Sequence, residues 1–240
     1  MEQKKLKKEL TKNNVQIHKN ASISTLSSYL DDLINNPNTL KKADLLSYWI
    51  EDYTKYLSSE DTFNPALYKS YKRGDVIKVN LGFNVGSEEG GLHYAVVIDK
   101  NNKISSPTIT IVPLSSIKDG ETIHENNVNL GTDLYTSLDN KIKKFTNETF
   151  KQFQSAEDIR NASDEEFLKL SLFALKEINK MVMELEKMKK GSYAIINQIT
   201  TISKQRIYDP KHTKDILSGI KLSNQNMDLI NEKIKKLYIW

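Results

Sequence analysis

Leu26, Tyr29, Leu30 and Leu33 recur at helical spacing and predict a short helix from Ser22 or Ser24 to about Ile34, broken by Asn35, Asn36 and Pro37. A broader stripe of Leu45, Leu46, Trp49, Ile50, Tyr53 and Leu57 predicts a second helix from about Leu40 to Leu57, whose apolar side needs a covering element. The two read as a helical hairpin within the first 60 residues, after twelve polar, basic residues expected to fray.

From Arg73 the period changes from helical to alternating. Asp75 to Asn80, Tyr94 to Ile98 and Thr108 to Val112 read as three strands, with a glycine-punctuated loop, Gly82 to Gly91, between the first two. His124 to Leu130 reads as an edge strand and Ser192 to Gln198 as a further strand, extended after a turn by Arg206, Ile207 and Tyr208.

Residues 141–190 return to helical period. Ser163 and Glu166 form a capping box ahead of Phe167, Leu168, Leu172, Leu175, Ile178, Val182 and Leu185, and Phe173, Ala174, Met181 and Met188 widen the apolar surface. A last helix, Lys221 to Tyr238, closes the pattern, giving an α+β chain whose short strands suit a small, strongly curved barrel.

Composition narrows the function. The 240 residues contain no cysteine, which excludes a disulfide framework and any thiol-only metal site. No apolar run approaches a membrane span and no apolar core marks a signal peptide, so a cytoplasmic, membrane-free protein is expected. The net charge of +4 is mild, but residues 191–240 hold 8 basic against 4 acidic side chains, the region best suited to a polyanion. Of the 35 basic residues only Arg73, Arg160 and Arg206 are arginine, the better bidentate phosphate ligand.

Candidate chemistry is sparse. The glycines of the 82–91 loop lack the lysine and hydroxyl spacing of a P-loop, and His18, His93, His124 and His212 are dispersed without a metal-ligand spacing. His93 stands apart because it follows Gly90-Gly91 at the mouth of a strand, and imidazoles exchange protons near neutral pH. Ser115 and Ser116 end the third strand, and Ser87 with its adjacent glycines offers backbone N–H groups to a phosphate. Glu88 and Glu89 form a further acid–base candidate, set against the ordinary reading of solvated loop glutamates.

Taken together, Arg73-Gly-Asp75, Val85-Gly-Ser-Glu-Glu-Gly-Gly91, Ala95-Val-Val-Ile98, Ser106-Pro-Thr108 and Ile199-Thr-Thr-Ile-Ser-Lys-Gln-Arg206 resemble the MazF/PemK family of toxin endoribonucleases in order and spacing. The resemblance covers about residues 71–116 and 190–240. It implies a mostly antiparallel β-barrel domain over 71–240, with a helical N-terminal extension at 1–70 and a largely helical insertion at 131–189. It also implies a homodimer that cleaves single-stranded RNA without a metal or other cofactor, through 2′-hydroxyl attack, and a cognate antitoxin protein as partner.

The resemblance places a catalytic arginine at His93 and a catalytic hydroxyl at Ser115. His93 keeps the capacity to move a proton but gives up an always-charged phosphate clamp, whereas Ser115 keeps the hydroxyl. Arg73, Lys78, Ser87, Ser116 and Arg206 are the candidate RNA contacts. The alternative is a catalytically inactive RNA-binding or regulatory relative whose helices bind a protein partner.

Overall fold

Helix α1 spans Lys12–Ile34 and so begins well before its apolar stripe. Thr11, in extended backbone, accepts the N–H of Asn14 at 3.2 Å, and this side-chain cap starts the helix where hydrophobic periodicity gives no signal. The Thr39 hydroxyl donates to the Leu33 carbonyl at 2.7 Å and tightens the turn into α2, Leu40–Ser58. These helices make one compact unit, ending at Ser58, and a second unit runs from Ser59 to Trp240. The computed structural model describes residues 10–154 and 164–240; most of the expected frayed terminus and the capping serine, Ser163, lie outside them.

The second unit is built on seven strands: β1 Val76–Asn80, β2 Leu92–Val97, β3 Thr108–Ser116, β4 Val128–Gly131, β5 Ser192–Ala194, β6 Thr200–Ser203 and β7 Ile207–Asp209. Their order is β4-β5-β3-β2-β1-β7, every pairing is antiparallel, and β6 pairs with the outer half of β3. The α+β class and antiparallel sheet are as the chain's pattern implies. Among the described residues no pairing joins the end strands β4 and β7, so the strand path is open. Strand β3 runs past its expected end at Val112, and β6 is a strand the pattern did not single out. Both belong to one arrangement, since the nine residues of β3 are long enough to carry β5 and β6 end to end along one edge.

Alternation along the strands sends side chains to two cores. Val76, Val96, Val112 and Leu114 meet apolar residues of three helices, α3 (Asp133–Gln154), α4 (Asp164–Lys187) and α5 (Asn224–Tyr238). Ile77, Val79, Ala95, Val97, Ile109 and Ile111 pack on the other face with Tyr71, Ile202 and Ile207. Each fully buried aliphatic side chain contributes roughly 1.5–3 kcal/mol, so the two faces together fix the register of β1 to β3.

Helix α4 departs from its expected broad burial. Ala174, Met181 and Met188 are buried, but Phe167, Leu168, Leu172, Phe173 and Leu175 are exposed. A helical period states that a face is apolar without supplying what covers it.

Candidate active site

Two glycines shape the loop that follows β1. The N–H of Gly91 donates to the Gly82 carbonyl at 2.6 Å, and the N–H of Leu81 donates to the Gly91 carbonyl at 2.7 Å, which pins the loop at its base. Gly91 lies at φ +79°, the left-handed region, and a Cβ on Gly90 would stand 2.8 Å from the Gly82 oxygen. The loop is therefore a closed structure rather than a solvated tether.

Gln198, in the turn between β5 and β6, reaches across to hold this loop. Its amide oxygen accepts the N–H of Glu89 at 3.3 Å, and its amide nitrogen donates to the Ser87 carbonyl at 3.1 Å. Asn84 clamps the same residue from within the loop, donating to the Glu89 carbonyl at 2.6 Å. Between the loop and the β5–β6 turn lies a cleft of about 520 Å³ lined by Leu81, Asn84, Glu88, Glu89, Pro113, Gln198, Thr200, Arg206 and neighbours. Arg206 is oriented there by its Nε, which donates to the Asn80 carbonyl at 2.8 Å.

His93 borders this assembly. Its Nε2 is 3.4 Å from a carboxylate oxygen of Glu89, and its Nδ1 is 3.4 Å from the Leu114 carbonyl. Both ring nitrogens thus face acceptors, and only the doubly protonated ring donates to both. The β2–β3 register ends with Tyr94 opposite Leu114, and the next residue of β3, Ser115, pairs with Tyr193 of β5. Ser115 shares its strand face with Pro113 of the cleft.

The remaining candidates go elsewhere. Lys78 points to the helix-covered face, where it pairs with Glu184 of α4 over the rings of Tyr94 and Tyr208. Burial pushes the Glu184 carboxyl up, but hydrogen bonds from Lys78 and the Tyr94 hydroxyl outweigh it and leave the group below the usual carboxylate range. Burial and the Glu184 contact push the Tyr94 hydroxyl well up. The Arg73 guanidinium donates to the Ile98 carbonyl and to Asn231 of α5. Ser116 pairs with Ser192 and, by alternation, turns away from the Ser115 face. Lys204, from the same Lys-Gln-Arg run as Arg206, is fully buried and donates to the Lys103 carbonyl at 3.0 Å, with burial pushing its ammonium down.

The structure therefore places Arg206 in the cleft lining, Ser87 in the loop that Gln198 holds and His93 against Glu89 of that loop, while Ser115 pairs with Tyr193 and Arg73, Lys78 and Ser116 engage other partners. Sequence reasoning missed Gln198 and Asn84 as organisers; the available signal was an amide directly before the Ile199 to Arg206 run. It set Glu89 beside Glu88 as an acid–base candidate, against the ordinary reading of solvated loop glutamates. Only about 29% of the Glu89 side chain is exposed, because its backbone is clamped on both sides.

Residues 72–172 match the family model for the PemK-like, MazF-like toxin of type II toxin–antitoxin systems. This segment is similar to the PemK/MazF-type toxins. The family match ends inside α4, and β5, β6 and β7, which lie beyond it, complete the sheet of this chain. A comparison with curated proteins gives no match. Proteins of the PemK/MazF family are ribonucleases of type II toxin–antitoxin systems. Among the described residues no helix is long and apolar enough to cross a membrane.

Proposed function

We propose that the chain cleaves single-stranded RNA without a metal ion, leaving a 2′,3′-cyclic phosphate and a 5′-hydroxyl. The observation that carries this reading is the convergence of the 82–91 loop, Arg206 and the His93–Glu89 pair on one cleft. In the reaction the 2′-oxygen attacks phosphorus and the bond from phosphorus to O5′ breaks. The 2′-hydroxyl loses its proton and O5′ gains one. His93 and its partner carboxylate take part in this proton traffic, Ser115 donates a hydrogen bond to a phosphoryl oxygen, and Arg206 supplies fixed positive charge as the phosphorane builds negative charge. Ser87 contacts RNA from the rim of the loop.

The same reading places the protein in the cytoplasm as a homodimer, with residues 71–240 as the nuclease domain and residues 1–70 and 131–189 as helical attachments to it. A second reading, an inactive RNA-binding or regulatory protein whose helices bind a protein partner, is favoured by two observations. His93 replaces an always-charged arginine and faces a carboxylate, and α4 leaves Phe167, Leu168, Phe173 and Leu175 exposed.

Incubation of the full chain with mixed-sequence single-stranded RNA in EDTA, followed by end-group analysis, separates the two. Cyclic phosphate and 5′-hydroxyl ends that disappear with His93→Ala support the nuclease. RNA binding with no cleavage by the unaltered chain supports the second reading.

A further inference from the structure

The nuclease reading leaves open which group removes the 2′-hydroxyl proton. Of the His93–Glu89 pair, Glu89 lines the cleft with Arg206, whereas His93 stands at its border and reaches Glu89 through Nε2 at 3.4 Å. We propose that Glu89 is the catalytic general base of this site and that His93 is its positioning residue. The proposal rests on the nuclease reading and assigns a role within it that neither the family match nor the motif pattern supplies.

Three observations carry the assignment. A base must be held still at the place where the proton leaves, and Glu89 is a loop carboxylate with both of its backbone polar groups clamped, its N–H by Gln198 and its carbonyl by Asn84. The neighbouring carboxylate is spent otherwise: Glu88 turns back on its own loop, 3.4 Å from the N–H of Val85. Finally, His93 is anchored on its far side, with Nδ1 against the Leu114 carbonyl, and this holds its Nε2 edge 3.4 Å from the Glu89 carboxylate. With both ring nitrogens protonated, Nε2 donates to Glu89 and fixes the carboxylate's direction.

A Glu89 oxygen takes the 2′-hydroxyl proton as the bond from the 2′-oxygen to phosphorus forms, and the phosphorus–O5′ bond breaks with its electron pair going to O5′. O5′ takes a proton from solvent water, and the proton held by Glu89 neutralises the hydroxide so formed. No oxidant, metal or further reactant is consumed. General-base catalysis of this kind is worth about 10²–10⁴-fold in rate.

The test compares single-turnover cleavage by the full chain and by Glu89→Gln on an oligoribonucleotide and on its analogue with sulfur in place of the bridging O5′, a leaving group that needs no proton. A base role predicts a rate loss of about 10²-fold or more for Glu89→Gln on both substrates. Binding of the 2′-deoxy analogue should change by less than about threefold, since the isosteric amide keeps the loop. Glu89→Asp, which keeps a carboxylate with a shorter reach, should fall between the two and carries the same sulfur comparison should the glutamine variant fail to bind. Wild-type rates in Glu89→Gln, or recovery of its rate on the sulfur substrate, overturn the assignment, the latter because it marks an acid. If the unaltered chain cleaves neither substrate, the nuclease reading itself falls.

Discussion

Strands β1 and β2 present two basic side chains, each facing a carboxylate, on opposite faces of one sheet, and the pairs are built differently. On the helix-covered side, Glu184 and Lys78 have side chains only 11% and 13% exposed, and Tyr94 donates to the same carboxylate oxygen. On the cleft side, Glu89 and His93 stand 3.4 Å apart with 29% and 27% of their side chains exposed. Adjacent residues on one strand, His93 and Tyr94, belong to the two pairs. A tight pair with its charges shielded holds α4 to the sheet, and breaking it strands a buried charge. A looser pair at a cleft can exchange one partner for substrate without unfolding anything.

The sharpest way to break the comparison is to remove one member of each pair. Glu184→Ala leaves Lys78 without its counter-charge and should lower unfolding stability by about 3–5 kcal/mol, measured by urea denaturation. His93→Ala should leave that midpoint within about 1 kcal/mol of the unaltered chain while lowering RNA cleavage about 10²-fold or more. Equal stability losses in the two variants would erase the distinction.

The loop sharpens the cleft side. Gly90→Ala places a Cβ against the Gly82 carbonyl, so cleavage should fall by about tenfold or more through a displaced Glu89, with a stability cost of about 1–3 kcal/mol. Gln198→Ala removes two hydrogen bonds to the loop and should cost about 1–2 kcal/mol, read as faster amide hydrogen exchange in the 82–91 loop.

The smallest effect concerns pH. Because the folded state holds the Glu184 carboxyl below its ordinary value, the folded protein binds fewer protons there than the unfolded chain does. That contribution is complete above the ordinary glutamate range, near about pH 4.3, and is lost as pH falls through the lower folded value. Denaturation midpoints taken from about pH 6 down to about pH 3 should therefore fall more steeply for the unaltered chain than for Glu184→Gln.

Much of the fold is readable in residue order because the relevant forces act locally. Alternation in Val76 to Asn80 and Tyr94 to Val97, and helical periods in α2 and α5, follow from which faces must be buried. The start of α1 was not readable that way, since it depends on a single threonine cap ahead of a polar stretch. Strand β6 was not readable either, because four residues, Thr200 to Ser203, gain their strand character from pairing with β3. At the site, the glycine pair marks His93 and the loop, but a charge in the chain does not state its partner. Lys78 and Arg73 qualify as phosphate ligands by type, and the structure commits them to Glu184, Ile98 and Asn231.

Sequence alone determined the α+β class, the absence of thiol chemistry, the glycine-built loop and the motif pattern that points to the PemK/MazF family. These depend on side-chain type and short spacing, which the chain carries wherever it is folded. Tertiary structure alone decided that Glu89 faces the cleft while Lys78 does not, and that Gln198 holds the loop from 109 residues further along the chain. Those facts depend on strand register and on which face of the sheet the helices cover, both set by burial across the whole domain.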